Sequence, residues 1–242
     1  MPIIDRSRHP APIYPDYKSS ISRGPTQPET DLADLYKGAR TGSPLELSGS
    51  LLGKFSASDL DRDLTRNACN GGAPLGERII VSGRITDERG KPIRGALIEI
   101  WQANAAGRYA HKLDEHDAPL DPNFLGAGRC VTDNDGDYSF LTIKPGAYPW
   151  QNQPNAWRPQ HIHFSVVGDH IGCRLVTQMY FPDDPLIEID PIANAIPMPA
   201  RQRMVGRFDI NSTKPAWALG YLFDIVLRGR DETPFEDHDH GH

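Results

Sequence analysis

The sequence predicts an all-β fold, an antiparallel β-sandwich, preceded by an extended N-terminal arm. Three observations lead there. From about residue 78 the chain breaks into short runs rich in Val, Ile, Tyr and Phe, with turn residues between them. No helical patterns alternate with these runs, which argues against a parallel sheet built from βαβ units. Residues 1–75 differ in composition, rich in Pro, Ser, Gly and Asp and poor in apolar side chains.

The elements follow in chain order. Within the arm only "SASDLDRDLTRN" suggests a short helix, with Ser56 or Ser58 as its N-cap. "RIIVSGRIT", the turn text "DERGKP" and "ALIEIWQAN" read as a first hairpin. "RCVTD", the tight turn "NDG" and "DYSFLTI" read as a second. "HIHFSVVG" and "CRLVTQMYF" are further strands, "MPARQRMVGRF" is a short helix or turn, and "YLFDIVLRG" closes the domain. The expected organisation is an arm over 1–75, a β-sandwich catalytic domain over 76–235 and a flexible tail over 236–242. There is no internal repeat.

Composition removes several function classes. The 242 residues are 38% hydrophobic, enough for one sizeable core plus an arm. Net charge is −6 with both signs interspersed, so no basic surface for nucleic acid is expected. Cys69, Cys130 and Cys173 are odd in number and far apart, which speaks against a disulfide framework and for a reducing compartment. The N-terminus has no apolar signal region and no run is long enough to span a membrane. A soluble, cytoplasmic protein is expected.

The chemistry gathers around "WRPQHIHF", residues 157–164. Side chains alternate along a strand, so His161 and His163 share a face with Cβ atoms about 7 Å apart. Both rings can reach one metal ion, although imidazoles on a strand face often only hydrogen-bond to neighbours. Tyr148, Trp150, Trp157 and Arg158 crowd the loop that feeds this strand, and no Asp, Glu or Cys lies between Tyr148 and His163. A site with two histidines and one carboxylate, or a thiolate zinc site, would need ligands from elsewhere. Tyrosine is the polar group at hand. Its pKa near 10 makes it a poor ligand for a divalent ion, whereas a trivalent cation favours phenolate.

Some other signals carry little. "DNDGD" at 133–137 lacks the first acidic position and the closing glutamate of a calcium loop and reads as a hairpin turn. His238, His240 and His242 sit in the low-complexity tail. His111 and His116 fall in a polar loop and are expected to face solvent.

"WQANAAGRYAH", "LDPNFLGAGRCVTDNDGDYSFLTIKPGAYPW", "WRPQHIHF" and "YLFDIVLRGR" together resemble the intradiol ring-cleaving dioxygenases. "PDYKSSI" belongs to the same pattern, and the absence of a long helical pattern from the arm favours the protocatechuate-cleaving branch. "PGAYPW" differs from the family's usual "PGPYPW" at Ala147.

The resemblance implies a mononuclear non-haem Fe(III) held by Tyr109, Tyr148, His161 and His163, with a solvent hydroxide. Two phenolates and a hydroxide neutralise a 3+ ion, so no net charge is buried. It further implies that Tyr148 takes a substrate proton, that Arg158 stabilises the electron-rich form of the substrate, and that Gln178 stands beside it. Trp150 and Ile192 match pocket-wall positions, and Tyr17 matches a contact to the substrate carboxylate. The implied reaction is cleavage of protocatechuate by O2 between its two hydroxylated carbons, and the implied partner is a homologous alpha chain in a hetero-oligomer. Two alternatives stand beside this reading: an intradiol enzyme for another catechol, and a non-catalytic metal-binding β-sandwich module.

Overall fold

The computed structural model describes residues 56–68, 70–150, 156–168 and 174–234. Residues 1–55, and with them most of the expected arm, lie outside the described residues, as do the tail histidines, Cys69 and Cys173. Two sheets and a separate hairpin make up the strand framework.

Strand β1 (Arg78–Thr86) is the centre of the first sheet. It pairs antiparallel with β4 (Asp137–Ile143) on one side. On the other it pairs in parallel with β10 (Leu219–Leu222) and β11 (Ile225–Val226). β9 (Arg207–Phe208) is antiparallel to β10. The second sheet runs β3–β2–β7–β8, antiparallel throughout: Ala127–Val131, Leu97–Trp101, His161–Val167 and Arg174–Tyr180. β5 (Tyr148–Trp150) and β6 (Ala156–Arg158) form the hairpin. The expected all-β sandwich is therefore present, with two parallel pairings that strand text cannot reveal.

β1 shows why the sheets stack. Ile79, Val81, Gly83 and Ile85 lie on one face and are buried, while the alternate residues Ile80, Ser82 and Arg84 are at least partly exposed. Ile79, Val81 and Ile85 meet Ile98, Ile100, Phe164 and Val166 of the second sheet in one core cluster. Phe164 packs edge-on or tilted against Tyr138, Phe140 and Phe223. Removing a buried ring of this kind costs about 3–5 kcal/mol.

Both expected hairpins are wrong in partner. β1 and β2 lie in different sheets, and so do β3 and β4. The turn residues are real: the Asp133 side chain accepts from the amides of Asp135 and Asp137, an Asx-type turn. A tight turn fixes a reversal of direction. It does not fix whether the next strand pairs with the last one or crosses to the facing sheet, and here the buried faces decide for crossing.

The expected short helix at 56–67 does not form either; the segment is a series of turns. Ser58 and Asp61 do cap each other reciprocally. Helix growth stops because the backbone bonds elsewhere. Leu64 donates to Leu141 O, Leu141 to Arg62 O, and Arg129 to Asp61 O. Leu64, fully buried, joins the core. The helix-or-turn reading of 198–208 fares better. After α1 (Pro191–Asn194), α2 (Met198–Arg201) runs into a 3-10 turn over Gln202–Met204. No helix among the described residues is long and apolar enough to cross a membrane.

Cys130 is buried on β3, and burial pushes its thiol up to about 12. Burial likewise holds the Tyr138 phenol well above its usual 10.0. Both groups keep their protons longer when folded than when unfolded. Their contribution to stability is therefore complete below the unfolded thiol value of about 8.5 and is lost as pH rises towards about 12. Urea denaturation at pH 8, 9 and 10 should show stability falling, and Cys130→Ala should fall less steeply. Parallel curves for the two proteins would contradict this assignment.

Candidate metal centre

Strand β7 carries the site. Every residue of "HIHFSVV" is buried, so no inside–outside alternation is visible along it. One face, Ile162, Phe164 and Val166, belongs to the core. The opposite face carries His161 and His163. The site thus lies on the outer face of the second sheet, roofed by loops and by the β5–β6 hairpin. Register sets the neighbours: His161 pairs with Tyr180, and His163 with Gln178 on β8 and Trp101 on β2. The Trp101 ring lies flat on the His163 ring, centroids 4.8 Å apart.

The two tyrosines arrive from separate segments. Tyr109 follows the turn 104–108, which Asn104 builds by accepting from the amides of Ala106 and Arg108. Its own amide donates to buried Asp114. Tyr148 opens β5, opposite Arg158 on β6. The two segments touch at glycines. Gly107 has φ +79, and a Cβ there would lie 2.1 Å from Ala147 O. Gly146 donates to Asn104 O, and a Cβ on it would lie 2.6 Å from the Gly107 nitrogen. Only glycine allows this approach, and the approach brings Tyr109 and Tyr148 to 5.5 Å between ring centroids.

Four donor atoms converge as a result. Tyr109 Oη lies 3.2 Å from His163 Nε2, Tyr148 Oη lies 3.3 Å from His161 Nε2, and the two Nε2 atoms are 3.2 Å apart. His161 Nδ1 donates to Pro159 O at 2.7 Å, so its Nε2 turns a lone pair towards the other donors. Electron-rich atoms at this spacing suit one cation, since metal bonds of about 2.0–2.2 Å put neighbouring ligand atoms roughly 3 Å apart. No group of three or more His, Cys, Asp or Glu among the described residues could hold a metal ion. The phenols complete the set. Around them lie Trp101, Ala103 and Val176, an apolar shell that excludes water.

Arg158 is the second feature. It is 2% exposed, so it is a buried cation and not a solvated surface arginine. Its Nε lies 3.1 and 3.2 Å from the two carboxylate oxygens of Asp190. Its Nη2 donates to Gln178 Oε1 at 2.6 Å and to Tyr180 Oη at 3.3 Å. Gln178 is fully buried, and its Nε2 has no hydrogen-bond partner among the described residues. A buried donor left unsatisfied costs about 1–3 kcal/mol, so this amide faces a place where a ligand acceptor would be stabilised.

Of the other expected site residues, Ile192 is buried on α1 and its amide donates to Asp190. Trp150 ends β5, but its side chain lies outside the described residues, and so does Tyr17. His111 and His116 are half-buried and engaged within their own loop: His111 Nδ1 accepts from Leu113 and His116 Nδ1 bonds Gly107 O. Neither is the solvent-facing histidine expected. Asp190, Tyr180, Trp101 and Asn104 were not foreseen. "DPI" at 190–192 does carry an N-cap-plus-proline signal, but its link to Arg158 spans 32 residues and is invisible to pattern. A cavity of about 820 Å³ opens elsewhere, beside Arg84, Asp137 and Asp224, and none of the four donors lines it.

Comparisons with known proteins identify the family. A family model described as "Dioxygenase" matches residues 47–229, and one for the N-terminal segment of protocatechuate 3,4-dioxygenase beta subunits matches residues 5–28. The chain is 59% identical over 232 residues to a protocatechuate 3,4-dioxygenase beta chain from Burkholderia cepacia, covering 96% of this chain and 95% of the relative. It is 28% identical over 203 residues to the alpha chain of the same enzyme from Pseudomonas putida, covering 82% of this chain and 94% of the relative. The hydroxyquinol 1,2-dioxygenase structure from Pseudomonas putida DLL-E4 shares the fold, with TM-score 0.52 and 24% identity over 73% of this chain and 64% of that one.

Gly107→Ala should part the two tyrosines without unfolding the sandwich. Metal content per chain, read by elemental analysis, should fall several-fold while the far-ultraviolet circular dichroism spectrum is retained. Unchanged metal content would show that the glycine crossing does not set the donor spacing.

Proposed function

The chain belongs to the intradiol dioxygenase family, and we propose that it cleaves protocatechuate (3,4-dihydroxybenzoate) with O2 between the two hydroxylated carbons, giving 3-carboxy-cis,cis-muconate. It works as the beta chain of a cytoplasmic hetero-oligomer with a homologous alpha chain. Identity of 59% to a protocatechuate 3,4-dioxygenase beta chain supports both statements, and alpha chains are themselves relatives of this chain. The observation that carries the reading is the convergence of two phenols and two imidazoles, with donor atoms 3.2–3.3 Å apart from Tyr109 through His163 and His161 to Tyr148, and a buried arginine paired opposite Tyr148.

Tyr109, Tyr148, His161 and His163 would hold a mononuclear iron, with the phenol oxygens favouring its ferric state. Bound there, ferric iron supplies the Lewis acidity and electron-accepting capacity that make a catechol ring reactive towards O2. The rest falls to the chain. Two anionic oxygen donors favour the ferric over the ferrous state. Catechol is a diprotic acid, so its binding as a dianion needs two proton acceptors; Tyr148 takes one proton at Oη, and a solvent hydroxide takes the other. Trp101 stacking and the Pro159 carbonyl hold the two imidazoles in place. Trp101, Ala103 and Val176 keep bulk water away from the reacting ring.

Arg158 supplies the fixed positive charge. Negative charge builds on the ring as it becomes electron-rich, and a guanidinium already in position stabilises it without reorganising. Gln178 orients Arg158 through its Oε1 and offers its Nε2 hydrogen to the same region. Ile192 and Trp150 form pocket walls, and Tyr17 meets the substrate carboxylate. The domain division into a 1–75 arm and a 76–235 sandwich is retained as a proposal, with Leu64 as the place where the arm enters the core.

Oxygen uptake by the complex should be fast with protocatechuate and much slower with catechol, and mass spectrometry of the product should place the break between the hydroxylated carbons. A break outside that bond, or no uptake with any catechol, would refute the assignment. Arg158→Lys should keep iron and visible colour, bind substrate only modestly worse, and react with O2 roughly 10²–10³ more slowly in single-turnover stopped flow. Lysine cannot reproduce the planar fork. Turnover at the parent rate would make Arg158 a structural residue.

A further inference from the structure

Asp190 is a carboxylate that touches the buried Arg158, and its contacts join three elements. It is fully buried. Its two oxygens straddle Arg158 Nε on β6 at 3.1 and 3.2 Å. One oxygen accepts from Tyr180 Oη on β8 at 3.4 Å, and the other from the Ile192 amide on α1 at 3.3 Å. Its backbone carbonyl accepts from the Asn194 amide and side chain. We propose that Asp190 is the positioning residue for Arg158: its carboxylate fixes the plane of the guanidinium and ties it to the pocket wall carried by Ile192. This rests on the reading of Arg158 as the group that meets charge developing on the substrate.

The physical case is one of charge and geometry. A guanidinium without a counter-charge at this burial would be strongly disfavoured. Gln178 and Tyr180 offer neutral oxygens, which orient the Nη2 end alone. A carboxylate astride Nε constrains the other end, so rotation about the last side-chain bonds is blocked from both sides. Because the same carboxylate caps α1, movement of Arg158 and movement of the Ile192 wall are coupled. Asp190 therefore acts through Arg158 and Ile192 and not on the substrate.

Asp190→Asn separates these roles. Asparagine caps a helix about as well as aspartate. With its oxygen on the Ile192 amide, its NH2 group replaces the other oxygen beside Arg158 Nε, donor against donor, so the cap survives while the carboxylate's charge and one of its two contacts to the guanidinium are lost. The experiment compares the parent complex, Asp190→Asn, Arg158→Gln and the double variant, each produced with the alpha chain. kcat and KM come from oxygen uptake with protocatechuate, and thermal midpoints from calorimetry. Asp190→Asn should lower kcat on the order of 10- to 100-fold, as expected for a misplaced catalytic group, with a much smaller change in KM. In the Arg158→Gln background it should lower kcat no further, because contacting residues that act as a unit are non-additive. Its midpoint should drop in the parent background and not in the Arg158→Gln background. Equal kcat losses in both backgrounds would overturn the proposal. Should Asp190→Asn alone fail to fold, a folded double variant supports the pairing and an unfolded one overturns it. If the parent complex consumes no oxygen with any catechol, the catalytic reading has failed instead, and the midpoints decide the pairing by themselves: coupled midpoints support it and additive ones overturn it.

Discussion

The site depends on one strand being buried on both faces. β7 gives Ile162, Phe164 and Val166 to the sandwich core and His161 and His163 to the opposite side. Core packing on one face locks the register with β2 and β8, because a slip of one residue would turn the histidines into the core and the apolar residues out. Register in turn places Gln178 and Tyr180 beside the two histidines and Trp101 against His163. A metal site needs donors held to fractions of an ångström, and a central strand clamped from both sides is the stiffest carrier this fold offers.

A rigid strand alone gives only two donors. The other two come from a loop, for Tyr109, and from the loop-to-strand junction that opens β5, for Tyr148, and loops are usually the less precise part of a protein. Here the loops are made rigid by backbone contact: the turn built by Asn104 and the approach to Tyr148 meet at Gly107 and Gly146, where a Cβ on either would collide with the other chain segment. Precision at the phenols thus comes from the absence of side chains nearby. This explains how the substitution of alanine for proline in "GAYPW" is compatible with the site, since Ala147 contributes its carbonyl to the crossing and not its side chain.

Much of this was legible in the sequence, and the failures have physical causes. The sandwich followed from strand text and turn residues, and the histidine pair followed from strand periodicity. Tyr109, by contrast, rested on family resemblance, because a tyrosine 52 residues before His161 has no local relation to it. The hairpins failed because turn chemistry encodes reversal and not sheet partner. The helix at 56–67 failed because Leu64, Arg62 and Asp61 spend their backbone groups on β3 and β4; a capping signal announces a helix start but cannot say whether tertiary pairing will stop its growth. Arg158 owed its role to family resemblance, because an arginine in a loop carries no local signal of burial. Its burial depends on Asp190, a carboxylate whose own local signal was that of a cap.

That last case shows how charge is arranged across the whole centre. Two tyrosine hydroxyls lie against the proposed cation site on the face of β7, and a guanidinium lies against a carboxylate one strand away. With a cation bound as proposed, each buried charge would have an opposite within contact, so neither half would burden the fold with an unpaired ion. A substrate dianion changes the balance, because it brings negative charge that Asp190 repels and Arg158 attracts. Asp190 holds the Nε edge of Arg158, and Gln178 holds Nη2. The carboxylate is therefore kept at the Nε edge of the guanidinium, and the Nη2 edge is turned to the side on which Gln178 stands. Orientation of the pair, more than its net charge, then decides whether the field stabilises an electron-rich ring. A neutral pair facing the wrong way would cost the fold the same and contribute nothing to catalysis.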